Sequence, residues 1–127
     1  MWHKFMCNVS ENQSAAILGI PFGAWVVSEH ANAIREAAMR EVVAIANKKG
    51  IPLSEEDIVA QRKVFPRIPY ENKPSTLQDI EAGRKTEVDI FAGAVIRMGK
   101  EVGVETPLNE FFYHGIRVLE EKNEGVI

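Results

Sequence analysis

Residues 28–50 read SEHANAIREAAMREVVAIANKKG, and this stretch decides the fold class. Ser28 is a good helix N-cap, while Lys48 and Lys49 suit a helix C-terminus and Gly50 is a stop signal. The apolar side chains between these ends recur at helical spacing: Ile34, Ala38, Val42 and Ile45. The stretch therefore predicts one long helix with an apolar side.

The rest of the sequence continues in the same way and contains no convincing strand. Caps and stop signals predict five more helices: Trp2 to Leu18, Ser54 to about Phe65, Pro74 to near Gly83, Thr86 to about Gly103, and one from Thr106-Pro107 through Val118. The run Gly19 to Gly23, with two glycines and a proline, predicts a loop. We expect an all-α fold, a compact multi-helix domain over residues 1–127.

Composition and charge exclude several classes of protein. Hydrophobic residues make up 46% of the chain and charged residues 26%, which is typical of a globular domain. The net charge of -3 argues against a nucleic-acid binder. The longest apolar stretch is broken by glycine and proline, so we expect no membrane span and a cytoplasmic protein. Cys7 is alone and is expected to be a packed thiol, and the histidines are too scattered for a metal site.

The first helix has an unusual polar face. Lys4, Asn8 and Asn12 are spaced four residues apart, and Glu11 falls beside them, away from the apolar stripe of Trp2, Phe5, Val9 and Ala16. This pattern is typical of a solvated face. Asparagine, however, is a poor helix former. Two asparagines beside a lysine therefore also suggest that these side chains serve as hydrogen-bond donors to a polar substrate.

A second polar cluster lies between Ser75 and Asp89. Acidic and hydroxyl residues crowd here around helix ends, where a carboxylate is favoured by the helix dipole. Plain capping explains the same residues, with Ser75 and Thr86 as caps and Glu87 as a first-turn acid. Chemistry alone leaves both interpretations open.

The two clusters together resemble a known family. Residues 2–15, WHKFMCNVSENQSA, look like the opening of the C-terminal domain of ketopantoate reductases (2-dehydropantoate 2-reductases), and residues 75–89 resemble its second signature. The matches run colinearly along nearly the whole chain. The resemblance implies the helical C-terminal domain of the 6-phosphogluconate-dehydrogenase-like reductases.

In this family, hydride passes from NADPH to 2-dehydropantoate to give pantoate for pantothenate and coenzyme A synthesis. The resemblance implies that Lys4 is the catalytic general acid, and that Asn8, Ser75 and Glu87 bind substrate. Asn12 matches a family position as well, and we expect it to support the substrate-binding residues. Phe22 departs from the family pattern, because a substrate-facing asparagine is expected at its position in some members.

A Rossmann domain with a glycine fingerprint precedes this domain in the family, and the sequence contains no such fingerprint. We expect a natural short protein, the second half of a split gene or a fragment, with a possible separate Rossmann partner and no cofactor bound by the chain alone. The alternative is a non-catalytic dimerisation or small-carboxylate-binding module derived from the family.

Related reductases often pair through this domain, so we expect a homodimer. The candidate contact surfaces are the apolar run 20–27 and the pair Phe111-Phe112, although Trp25 and Phe112 also suit a core.

Overall fold

Helices make up the whole fold of the chain, which a computed structural model describes from Met1 to Ile127. They are α1 (Trp2–Cys7), α2 (Gln13–Leu18), α3 (Ala24–Val27), α4 (Glu29–Lys48), α5 (Glu55–Gln61), α6 (Ser75–Glu81), α7 (Ala92–Val102) and α8 (Pro107–Glu124). A π-helical segment, Asn8–Asn12, joins α1 to α2, and a 3₁₀ turn, Phe65–Arg67, follows α5. The all-α prediction is confirmed.

The long helix α4 packs against most of the other helices and organises the core. Ser28 caps it as predicted, because its Oγ accepts a hydrogen bond of 3.0 Å from the backbone N–H of Ala31. On the predicted apolar face, Ala38, Val42 and Ile45 are fully buried and Ile34 is half-buried, and the helix packs against α1, the π segment, α5, α7 and α8. The largest core cluster includes Met6, Val9, Met39, Val42, Ile45, Ile58 and Val95.

Two helices are shorter than the sequence predicts. The helix from Ser54 ends at Gln61, and Phe65 begins a separate 3₁₀ turn; Pro66 has no N–H to continue the helical hydrogen bonds. The helix predicted from Thr86 begins only at Ala92, and Ile90, expected on the apolar stripe, is exposed. Thr86 is instead held by Glu120 of α8, which accepts hydrogen bonds from the Thr86 N–H at 2.8 Å and from its Oγ1 at 2.9 Å.

A carboxylate on α4 caps the last helix. Thr106 and Pro107 stand at the start of α8 as predicted, but Thr106 makes no side-chain cap. Glu41 accepts hydrogen bonds from the backbone N–H groups of Leu108 at 2.8 Å and Asn109 at 3.0 Å. A negative charge at a helix N-terminus is favoured by the free N–H groups and by the helix dipole. Glu41 therefore fixes the start of α8 against α4.

Candidate functional site

The π segment carries the polar face that the sequence singles out. Lys4 on α1 is exposed, and Asn8 and Asn12, at the two ends of the π segment, are half-buried. A π-helical turn contains an extra residue and is common at functional sites. The sequence predicts one continuous α-helix here, and only the two asparagines hint at an unusual turn.

Asn12 contacts Ser75, which lies 63 positions later in the sequence. Its Nδ2 donates a long hydrogen bond to Ser75 Oγ at 3.4 Å, beyond the usual N–H···O range of about 2.7–3.2 Å. Ser75 is the first residue of α6, and Pro74 occupies the N-cap position, so the capping interpretation of Ser75 is wrong. The exposed Ser75 hydroxyl thus joins the polar face of the first helix.

Glu87 lies in the turn between α6 and α7, exposed to solvent and between two anchored residues. Thr86 is bound by Glu120, and Val88 is only 1% exposed. The side chains of Lys4, Asn8 and Glu87 make no hydrogen bond or ion pair within the chain. Their anchored backbones and free polar atoms suit ligand binding, but none of the surface depressions of the chain is lined by them. That the three share one cleft with Ser75 stays a prediction.

Glu11 is buried, contrary to its expected place on the solvated face. It is 7% exposed, and its Oε2 accepts a hydrogen bond of 2.8 Å from Gln61 Nε2 on α5. Burial raises the pKa of Glu11 to about 7, although the Gln61 hydrogen bond and the positive charge of Arg35 act in the opposite direction. The π segment therefore directs a titratable side chain toward the core.

A fully buried guanidinium lies near this carboxyl group. Arg35 Nη2 donates hydrogen bonds to Asn32 Oδ1 at 3.0 Å and to Glu36 Oε2 at 2.9 Å, and the guanidinium lies 4.9 Å from the centre of the Phe65 ring. Burial lowers the pKa of Arg35. Burial, followed by the charge of Glu11, raises the pKa of Cys7 to about 12. Cys7 is thus a packed thiol, as predicted, and not a nucleophile at neutral pH.

Phe22 belongs to an aromatic cluster next to the segment that leads into α6. Its ring centre lies 5.9 Å from that of Trp25 and 6.4 Å from that of Phe65. Its N–H donates to the carbonyl of Asn72 at 2.8 Å, three residues before Ser75. An aromatic residue therefore stands where the family resemblance predicts an asparagine.

The predicted contact surfaces are partly buried. Trp25 and Phe112 are each 2% exposed and belong to the core, so they are not available to a partner. Val26, Val27 and Phe111, by contrast, are 51%, 70% and 59% exposed. The apolar side chains of Met1, Trp2, Phe5 and Met98 line a depression of about 240 Å³ around the start of α1.

No group of three or more His, Cys, Asp or Glu side chains is placed to hold a metal ion. None of the helices combines the length and the apolar character needed to cross a bilayer.

Residues 1–120 match the family described as "Ketopantoate reductase PanE/ApbA C terminal", and the chain belongs to that family. It is 29% identical over 119 residues to 2-dehydropantoate 2-reductase of Pyrobaculum aerophilum, covering 94% of this chain and 42% of the relative. The chain thus spans about two fifths of the length of that curated relative.

Two solved structures share the fold. D-mandelate dehydrogenase, solved with NADH and anilino(oxo)acetate, superposes with a TM-score of 0.87 at 27% identity, over 97% of this chain and 52% of that one. A ketopantoate reductase from Staphylococcus aureus, described as dimeric, superposes with a TM-score of 0.85 at 19% identity, over 96% of this chain and 42% of that one. At that identity the second likeness concerns the fold alone.

Proposed function

We propose that the chain is the substrate-binding and catalytic-lysine half of an NADPH-dependent reductase that converts 2-dehydropantoate to pantoate. The observation that carries the proposal is the polar face of the first helix, where Lys4 and Asn8 are free of partners and Asn12 meets Ser75. Membership of the ketopantoate reductase family supports it. A surface helix with no ligand would need neither the asparagines nor the long-range contact.

Lys4 acts as the general acid. An ammonium beside the keto oxygen offsets the negative charge that develops there, and its Nζ delivers the proton that completes the alcohol. Its position on a regular helix, one turn before the π segment, fixes the lysine backbone, and its long side chain is exposed to solvent.

Asn8, Ser75 and Glu87 hold the substrate. An amide, a hydroxyl and a carboxylate are the groups needed to orient a small acid that carries a keto group and hydroxyls. Asn12 acts on Ser75, because its amide donates to Ser75 Oγ and leaves the hydroxyl hydrogen free to point to substrate.

The cofactor requires residues that this chain does not contain. Pyrophosphate binding in a Rossmann fold rests on a glycine-rich turn between a strand and a helix, and the described residues 1–127 include no strand. NADPH supplies the hydride when it is bound, and it is held by a separate dinucleotide-binding domain in the same or another polypeptide. The apolar depression of Met1, Trp2, Phe5 and Met98 is suited to contact such a domain.

Reconstitution tests this proposal. The 127-residue chain is mixed with a separately expressed Rossmann domain from a ketopantoate reductase, and oxidation of NADPH is followed with 2-dehydropantoate. We expect turnover only in the mixture, and at least a hundredfold less with Lys4→Ala. Lys48→Ala, on the exposed end of α4, is the matched control. A mixture with no turnover, or equal turnover with Lys4→Ala, would support the non-catalytic alternative.

Phe22 favours a second candidate substrate, a 2-keto acid with an aromatic or other apolar side chain. The likeness to D-mandelate dehydrogenase, whose structure holds the aryl compound anilino(oxo)acetate, supports this candidate. The same reconstituted mixture decides between the two when benzoylformate competes with 2-dehydropantoate. Phe22→Asn is expected to shift the preference toward 2-dehydropantoate if Phe22 sets the specificity.

We also propose that the chain forms a homodimer through its exposed apolar residues. Val26, Val27 and Phe111 support this proposal, since large apolar side chains at such exposures are typical of contact surfaces when they form a continuous patch. A two-fold contact is the commonest arrangement of such pairs.

A further inference from the structure

Gln13 is a fully buried polar residue immediately after the π segment. Its relative exposure is 0%, and both ends of its amide are hydrogen-bonded. Nε2 donates to the carbonyl of Val9 at 2.9 Å, inside the π segment. Oε1 accepts from the backbone N–H of Ala92 at 3.1 Å, across a separation of 79 residues. One side chain therefore joins the π segment to the first residue of α7.

The Val9 bond belongs to a pair that closes the widened turn. Ser14 Oγ donates to the carbonyl of Ser10 at 2.5 Å, next to the Gln13 bond to Val9. Both are bonds from a side chain to the carbonyl four residues earlier, and the backbone N–H of Gln13, the regular helical donor to Val9, goes instead to the carbonyl of Ser10. Gln13 differs from Ser14 because its second end reaches another helix.

The Ala92 bond leads directly to the turn that carries Glu87. The carbonyl of Glu87 accepts hydrogen bonds from the N–H groups of Ile90 at 3.1 Å and Phe91 at 3.2 Å. Ala92 is the next residue, and its own N–H is taken by Gln13. At the other end, Gln13 is covalently attached to Asn12, which contacts Ser75.

We propose that Gln13 is a positioning residue that sets the spacing between the Asn8–Asn12 face and the Glu87 turn. The importance of this spacing for catalysis rests on the proposed function. The structural role of Gln13 rests on its hydrogen bonds to Val9 and Ala92 alone. Only an amide of this length supplies a donor at one end and an acceptor at the other. Asparagine is one methylene shorter, methionine offers no donor, and a glutamate carboxylate cannot donate to Val9.

Amide NMR spectroscopy of the full chain tests the spacing without any ligand. In Gln13→Met, we expect the side-chain amides of Asn8 and Asn12 and the backbone amides of residues 87–92 to shift together. The scalar coupling across the hydrogen bond between the Ala92 nitrogen and the Gln13 carboxamide carbon should be present in the wild type. Asn109→Leu is the control, because Asn109 is equally buried and its Nδ2 bonds to Glu41 at 2.7 Å, outside both parts of the site.

Gln13→Glu adds a rescue that a merely space-filling role would not show. A protonated carboxyl group can accept from Ala92 and donate to Val9, whereas the carboxylate cannot donate. We therefore expect the resonances of residues 87–92 to return toward their wild-type positions as the pH is lowered. Shifts confined to residues 9–14 in Gln13→Met, equal shifts in Asn109→Leu, or no return at low pH would each overturn the proposal.

A titration with 2-dehydropantoate then separates this inference from the proposed function. If the wild-type chain responds to the acid at Asn8, Ser75 and Glu87, we expect Gln13→Met to bind it at least tenfold more weakly and Asn109→Leu to bind it as the wild type does. Equal binding by Gln13→Met would overturn the positioning role. A wild type that does not respond counts against the proposed function, and the ligand-free shifts still decide the role of Gln13.

Discussion

Gln61 Nε2 lies 2.8 Å from Glu11 Oε2, so an amide on α5 holds a buried carboxyl group of the π segment. The two residues are 50 positions apart in sequence. Glu11 is buried and precedes Asn12 in the sequence, so its ionisation places a charge in the core next to a residue of the proposed substrate face. The stability of this region should therefore depend on pH near neutrality.

The first prediction concerns that pH dependence. The pKa of Glu11 is about 7 in the folded chain, above its ordinary value of 4.5, so the folded state binds more protons than the unfolded state between these values. Stability should fall as the pH rises from about 4.5 to 7, by up to about 3 kcal/mol from this group alone. Urea denaturation at several pH values measures the slope.

Glu11→Gln should flatten this slope, because a neutral amide can still accept from Gln61. The control is Glu101→Gln, on the exposed side of α7, which should keep the wild-type slope. Equal slopes in the wild type and in Glu11→Gln would show that Glu11 does not titrate in this range.

The second prediction concerns the carboxylate cap of α8. Glu41→Ala removes the acceptor for the N–H groups of Leu108 and Asn109 and for the Asn109 amide. We expect the free energy of unfolding to fall by about 2 kcal/mol, as measured by urea denaturation. Glu105→Ala, exposed just before the same helix, should change it by less than about 0.5 kcal/mol.

The third prediction concerns a close approach at Gly23. A Cβ at this position would lie 2.0 Å from Cδ2 of Tyr70, whose carbonyl also accepts the Gly23 N–H at 2.9 Å. Gly23→Ala should destabilise the fold by about 1–3 kcal/mol. Combining it with Tyr70→Ala should recover most of this loss, and additive losses in the double-mutant cycle would mean that the ring is not the obstacle.

The fourth prediction concerns self-association. Sedimentation equilibrium over a wide concentration range should give a mass approaching twice 14.2 kDa. Phe111→Ser, at an exposed position of α8, should weaken association at least tenfold, while Glu124→Ser near the end of the helix should not. A constant mass near 14.2 kDa would exclude the dimer.

The sequence predicted those features that depend on interactions between residues close together in the chain. The Ser28 cap, the buried face of α4 and the stop at Gly50 follow from residue types within a few positions, and the structure has all three. The helix start at Ser54 was predicted for the same reason, and there the Ser54 N–H donates to Asp57 Oδ2 at 2.9 Å. Family membership was also predictable, because its motifs are contiguous in the sequence.

Features that depend on a distant partner were missed. Thr86 was expected to begin a helix, and nothing near it in the sequence indicates that Glu120 holds it 34 residues away. The burial of Glu11 depends on Gln61, 50 positions away, and on the extra residue of the π turn. A π turn uses the same residue types as an α-helix, so the sequence does not reveal it. For the candidate site, the sequence identified the candidate residues. The contact between Asn12 and Ser75, which are 63 positions apart, could be seen only in the structure.

The single cysteine gives this fold an internal reporter. Cys7 is 8% exposed within the largest core cluster, and no other thiol is present. A thiol-specific reagent should therefore modify the folded chain mainly when the packing around the first helix opens. The rate of alkylation measures how often that packing opens, and labels attached to cysteines introduced elsewhere will face little competition from the native thiol.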